Sequence, residues 1–144
     1  MLEINNTTKR KINSAKTKKI VEAWLKKNHK NNWLVSLAIV GSGRMRRLNN
    51  DYRGIDKATD VLSFAATKNG LEDSYLGEVV INIEEVDKAN KYLDVFGIKK
   101  PAEYIFHFLL VHGLLHLIGY NDEKEADRQK MLLLGEDFLN EFYS

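Results

Sequence analysis

The sequence contains no cysteine and a single proline, Pro101. Without thiols there is no disulfide and no zinc–thiolate cluster, so any metal must be held by nitrogen and oxygen donors. The lack of cysteine is also compatible with a reducing compartment. No run approaches the roughly eighteen apolar residues of a membrane-spanning helix. The first residues, Met1-Leu2-Glu3-Ile4-Asn5-Asn6, lack the basic segment and apolar stretch of a signal peptide. A cytoplasmic protein with no membrane partner is expected. Repeats, low-complexity tracts and interdomain linkers are missing as well. A chain of 144 residues, 44% of them hydrophobic, is therefore expected to form one domain over residues 1–144.

The formal net charge of +2 conceals an uneven distribution. Residues 1–57 carry 14 Lys and Arg against 4 Asp and Glu, and residues 58–144 carry 8 against 16. The basic half includes Lys9, Arg10, Lys11, Lys16, Lys18, Lys19, Lys26, Lys27 and Lys30, followed by Arg44, Arg46, Arg47 and Arg53. Lysines on a surface helix are ordinarily just solvated. Arginines close to a motif are better suited to grip phosphate in a bidentate fork, so Arg44, Arg46, Arg47 and Arg53 are candidate substrate-binding residues.

Apolar periodicity gives a coarse order of elements. Leu2–Asn5 reads as a short strand, and Asn13 or Ser14 can cap a helix with Thr17, Ile20, Val21, Trp24 and Leu25 on its inner face. Trp33–Val40 suits a second strand, and Gly41-Ser42-Gly43 leads into a helix bearing Met45, Leu48 and Tyr52. Asp60–Phe64 and Leu76–Ile83 read as two further strands, separated by a polar loop containing Asn69-Gly70 that would permit an antiparallel pair. Glu84–Leu93 has a helical pattern. Pro101 suits the first turn of a long apolar helix with Ile105, Leu109, His112 and His116 along one side. A last helix from about Glu123 offers Met131, Leu134, Phe138 and Phe142 for packing. The expected fold class is α+β: a single domain with a small mixed sheet of about four strands covered by helices, one of them a buried metal-binding helix.

The chemistry concentrates in that long helix. His112 and His116 lie four residues apart, which puts both imidazoles on one helical face where they can converge on one ion. Gly119 can end the helix in a left-handed turn and bring Asp122 back toward the imidazoles. Two nitrogens and one carboxylate oxygen would leave a fourth coordination position open, as in catalytic rather than structural zinc sites. His107 is rotated roughly 140° from His112 around the helix. His107 and His29, the latter in a basic surface segment, read as structural or solvent-facing. The spacing His112, His116, Gly119, Asp122 also occurs in zinc proteases. There a Glu beside the first His is the general base, and here Gly113 stands in that position, so peptide cleavage would need another proton acceptor.

The segment His112-Gly113-Leu114-Leu115-His116-Leu117-Ile118-Gly119-Tyr120 closely resembles the signature of the bacterial YbeY family of metal-dependent endoribonucleases. Leu48-Asn49-Asn50-Asp51-Tyr52-Arg53, then Asp56 and Thr59-Asp60-Val61-Leu62-Ser63-Phe64, resembles that family's central motif. Leu76-Gly77-Glu78-Val79-Val80-Ile81 resembles its next strand. The resemblance spans nearly the whole chain. It implies a single-strand-specific endoribonuclease acting in ribosomal RNA maturation and ribosome quality control. It also implies one divalent metal ion, zinc first among them, and partners in ribosomal RNA, the small ribosomal subunit and its assembly factors. Arg53 would then be catalytic, facing the metal and holding the scissile phosphate; otherwise it would pair with Asp51 or Asp56. Asp60 and Ser63 are as readily structural as substrate-facing. The chain departs from the pattern where the family usually continues Gly-Tyr-Asp-His: it reads Gly119-Tyr120-Asn121-Asp122, so Asp122 takes the place of the third His ligand. That exchange leaves open a weakened site, and with it a noncatalytic ribosome-assembly RNA-binding factor. Ala58 and Ala65 replace common prolines, a matter of loop stiffness.

Overall fold

Leu34–Val40 is an unbroken apolar run apart from Ser36, as expected for a strand covered on both faces, and it forms the centre of the sheet. The computed structural model describes residues 1–66 and 74–143. The expected Asn69-Gly70 turn lies outside the described residues. Four strands, β1 (Leu2–Asn6), β2 (Leu34–Val40), β3 (Val61–Ala65) and β4 (Tyr75–Asn82), are ordered β1-β2-β4-β3. β1 and β4 run parallel to β2, and β3 runs antiparallel to β4 with Ser63 opposite Val79, so the sheet is mixed as expected.

Between β1 and β2 lies helix α1 (Ser14–Lys27), capped by the Asn13 carboxamide oxygen, which accepts from the Lys16 N–H at 3.1 Å. The expected stripe of Thr17, Ile20, Val21, Trp24 and Leu25 is buried. Helix α2 (Ser42–Arg53) joins β2 to β3 and ends at Gly54, whose φ of +69° is the left-handed cap that glycine adopts readily. α2 covers the second face of the sheet, packing Met45 and Leu48 against Val40, Leu62, Val80 and Phe64. Tyr52, in the last turn of the same helix, is 69% exposed and touches Phe64 with an edge-on ring.

The helix expected over Glu84–Leu93 is broken. Ile83–Glu85 and Ala89–Tyr92 are 3-10 turns, followed by a short α3 (Leu93–Phe96). Specific anchors override the helical pattern here. The Asn82 side chain accepts from the Glu84 N–H at 3.1 Å, buried Glu85 binds Lys88 at 2.8 Å and Lys91 at 2.7 Å, and Tyr92 donates to Asp60 at 3.0 Å.

Helix α4 (Ala102–Leu117) follows Pro101 and is buried on nearly every side, between α1, α5, β3 and β4, rather than along a single stripe. Its core includes Ile105, Leu109 and Leu110 together with Val35, Leu37, Ile39, Val79 and Ile81 of the sheet. Helix α5 (Glu125–Leu139) buries Met131, Leu132, Phe138 and Leu139. Leu134, expected inside, faces out, because the buried positions follow the sequence 131, 132, 135, 138 and 139 around the helix.

Candidate metal centre and its cleft

Two features at the end of α4 build the site. The helix stops at Leu117, and Gly119 takes φ +103°, with its N–H donating to the His116 carbonyl at 3.0 Å and the Tyr120 N–H to the Leu115 carbonyl at 3.1 Å. This left-handed reversal sends the chain back over the last turn and places Asp122 between the two imidazoles, as its spacing from Gly119 predicts. The Asp122 Oδ2 atom lies 3.3 Å from the Nε2 of His112 and 3.3 Å from the Nε2 of His116. One donor atom from each of the three residues falls within 4.8 Å of the others.

A carbonyl can only accept, so His116 Nδ1–H donates to the Tyr120 carbonyl at 3.0 Å, which turns its Nε2 toward Asp122. Two imidazole nitrogens gathered on one carboxylate oxygen at that distance suit a cation between them. Burial is the largest influence on His112, whose side chain is 13% exposed, and lowers its pKa; neighbouring His116 lowers it further, against the opposing effects of Asp122 and Asp60. The uncharged imidazole so favoured is the form that ligates metals. The two 3.3 Å separations also match the edge of a tetrahedron with bonds of about 2.0–2.1 Å, the length of zinc–imidazole and zinc–carboxylate bonds. The donor set fits a divalent ion.

These residues open into a cleft of about 560 Å³, whose lining includes Arg53, Asp60, Tyr92, Phe108 and Arg128. Arg53 reaches it from the C-terminal turn of α2, and among the described residues it enters no ion pair. Asp56, one of its possible partners, is held instead by Arg46, with Nε to Oδ1 at 2.7 Å and Nη2 to Oδ2 at 3.0 Å. Arg44, Arg46 and Arg47 lie exposed on the outer side of α2 and do not line the cleft. Arg46 and Arg47 border a separate shallow groove with Asp51 and Asp56.

Asp60 sits inside the cleft with both oxygens engaged: Oδ1 accepts from the Val61 N–H at 2.8 Å and Oδ2 from the Tyr92 hydroxyl at 3.0 Å. Ser63 donates to the Gly113 carbonyl at 2.9 Å, tying β3 to α4. Neither His107 nor His29 lines the cleft: His107 is fully buried and structural, and His29 is exposed to solvent. Sequence reasoning did not single out the Tyr120 carbonyl, Tyr92 or Arg128. The first follows from the Gly119 reversal once Asp122 is placed, whereas the other two come from elements whose approach to the site no local pattern announces.

An α+β domain with two helix-borne histidines joined by a loop aspartate in an arginine-containing cleft is the class that fold and site define. A family model described as Endoribonuclease YbeY matches residues 3–143. A protein named Endoribonuclease YbeY from Desulfitobacterium hafniense (strain Y51) is 40% identical over 105 residues, the match covering 67% of this chain and 64% of that protein. A protein of the same name from Petrotoga mobilis (strain DSM 10674 / SJ95) is 34% identical over 140 residues, covering 96% and 92%. The solution structure of TM1509 from Thermotoga maritima shares the fold, with a TM-score of 0.59 at 22% identity over 99% of this chain and 92% of that one. The chain belongs to the endoribonuclease YbeY family.

Proposed function

We propose that this protein is a metal-dependent endoribonuclease that cuts single-stranded RNA in the maturation and quality control of ribosomal RNA. In this reading it works in the cytoplasm with the small ribosomal subunit and its assembly factors. Family membership supports cleavage of RNA phosphodiester bonds as the reaction class. No helix among the described residues is long and apolar enough to cross a membrane.

The observation that carries the proposal is the convergence of His112, His116 and Asp122 in the cleft that Arg53 also lines. Those three residues would hold the ion, and zinc suits two imidazoles and a carboxylate. A bound zinc ion would supply Lewis-acid polarisation of a phosphoryl oxygen and a more acidic water. Arg53 would grip the non-bridging oxygens of the scissile phosphate and offset the charge that grows on them as the bond breaks. Asp60 is occupied by the Val61 N–H and the Tyr92 hydroxyl, so its role is to fix the wall of the cleft rather than to take a proton. Arg44, Arg46 and Arg47 would meet phosphates farther along the strand, Arg46 only by exchanging its partner Asp56.

The test is turnover of a single-stranded RNA and of a duplex of the same sequence by wild type, by chelated and zinc-restored wild type, and by His112→Ala. Cleavage of the single strand alone, lost on chelation and in the variant and regained with zinc, is expected. Equal turnover by His112→Ala would trace the activity to something other than this site.

A further inference from the structure

We propose that Arg128 is a second phosphate-binding residue of this nuclease, contacting a phosphate next to the scissile one from the α5 wall of the cleft. The inference rests on the endoribonuclease reading above. Arg128 belongs to α5, and Leu132, one turn later on the same helix face, lines the same cleft as Arg53, His112, His116 and Asp122. The side chain is 44% exposed, so its stem is partly covered while the guanidinium still meets solvent.

A purely structural role explains this arginine poorly. Its one ion pair among the described residues is with Glu125 at 3.7 Å, a long contact with a carboxylate that is 75% exposed and already accepts from Gln129 at 2.8 Å. Arg128 also lies in the first turn of α5, where the helix dipole disfavours a cation. The charge of the cleft gives the residue a purpose. Its ionised lining is Arg53 and Arg128 against Asp60 and Asp122, which cancel, so a divalent ion leaves a surplus of two positive charges. A phosphodiester gains a second negative charge as it is attacked, and that surplus matches it. Without Arg128 the surplus is one. The guanidinium fork suits a phosphate better than an ammonium would.

The experiment measures binding of a single-stranded oligonucleotide by zinc-loaded protein as a function of salt, for wild type, Arg128→Ala, Arg53→Ala and Lys130→Ala, with thermal melting to confirm folding. Lys130 is an exposed residue of the same helix and serves as control. For a single strand each phosphate contact contributes about 0.7 to the slope of log affinity against log salt. Arg128→Ala is expected to lower that slope by about 0.7, as Arg53→Ala does, while Lys130→Ala leaves it unchanged. A fold that simply loosened would change the melting temperature without removing a single counterion from the slope. Wild-type slope in Arg128→Ala, with Arg53→Ala lowered, would overturn the role of Arg128 alone. Failure of wild type to bind RNA would overturn the nuclease reading and this inference together.

Discussion

Gly113 lies so close to Val79 that a methyl group on it would fall 2.6 Å from one Val79 γ-carbon and 3.1 Å from the other, with the Ser63 hydroxyl also at 3.1 Å. The missing side chain is what lets α4 seat against β3 and β4. It also bears on the protease-like spacing, because a glutamate at this position would be driven into the sheet. Gly113→Ala is therefore expected to destabilise the fold. Overpacking of a tight core costs about 1–3 kcal/mol, against about 1 kcal/mol returned by alanine's better helix propensity. Denaturant unfolding measures the difference, and a variant more stable than wild type would show that Val79 yields freely. Gly113→Glu should fail to accumulate as folded protein.

Zinc should be lost on substitution of either of the two less buried members of the cluster. His116→Ala and Asp122→Ala are each expected to purify without stoichiometric metal, whereas Asp122→His, which restores the residue the family usually carries, should retain it. Elemental mass spectrometry of protein prepared without chelators reads this directly. The two alanine variants should lose thermal stabilisation by zinc, which for wild type amounts to about 2.7 kcal/mol at an ion concentration one hundred times the Kd. Full zinc content in Asp122→Ala would remove the carboxylate from the ligand set.

The site was legible in sequence where it is built locally. His112 and His116 share a face because they share a helix, and Asp122 joins them because Gly119 reverses the chain within six residues of the second histidine. The sheet and most helices were also legible, because α1 and the strands carry clean apolar patterns. Patterns failed where tertiary partners decide. Glu85 and its two lysines, with Tyr92 on Asp60, break a segment that reads as one helix. Arg46 rather than Arg53 takes Asp56, ten residues away, and no spacing rule separates the two candidates. Arg128 lines the cleft because α5 packs against α4, which only the assembled core determines.

Acid should weaken the fold through His107. Thr17 donates its hydroxyl hydrogen to the Asn13 carbonyl at 2.8 Å, so it must accept from His107 Nε2–H at 2.9 Å, which leaves Nδ1 bare to accept from the Tyr143 hydroxyl. Burial, with some help from Lys16, pushes the pKa of His107 down to about 4. The unfolded chain, with an ordinary value near 6.5, binds the proton first, so stability falls as pH drops from about 6.5 to about 4, by at most about 3 kcal/mol. Other carboxylates titrate in part of that window, so the comparison is with His107→Gln, which keeps a donor and an acceptor but does not ionise. The expected result is a shallower loss of unfolding free energy in the variant between pH 7 and pH 4. Parallel curves would mean that the histidine opens to solvent before the fold is lost.

Arg53→Ala should separate metal binding from turnover. The side chain ends α2 and contributes to the cleft with no hydrogen bond or ion pair to His112, His116 or Asp122 among the described residues, so its removal is expected to leave zinc content and melting temperature close to wild type. Preorganised donors aimed at developing charge contribute about 100- to 1000-fold to turnover, and a loss of that order is expected here. Arg53→Lys keeps the charge but not the fork, so it should recover part of the loss and bind the phosphate less selectively. The informative quantity is kcat at saturating RNA. A drop confined to KM would assign Arg53 to ground-state binding only, because an interaction made equally with substrate and transition state does not alter kcat.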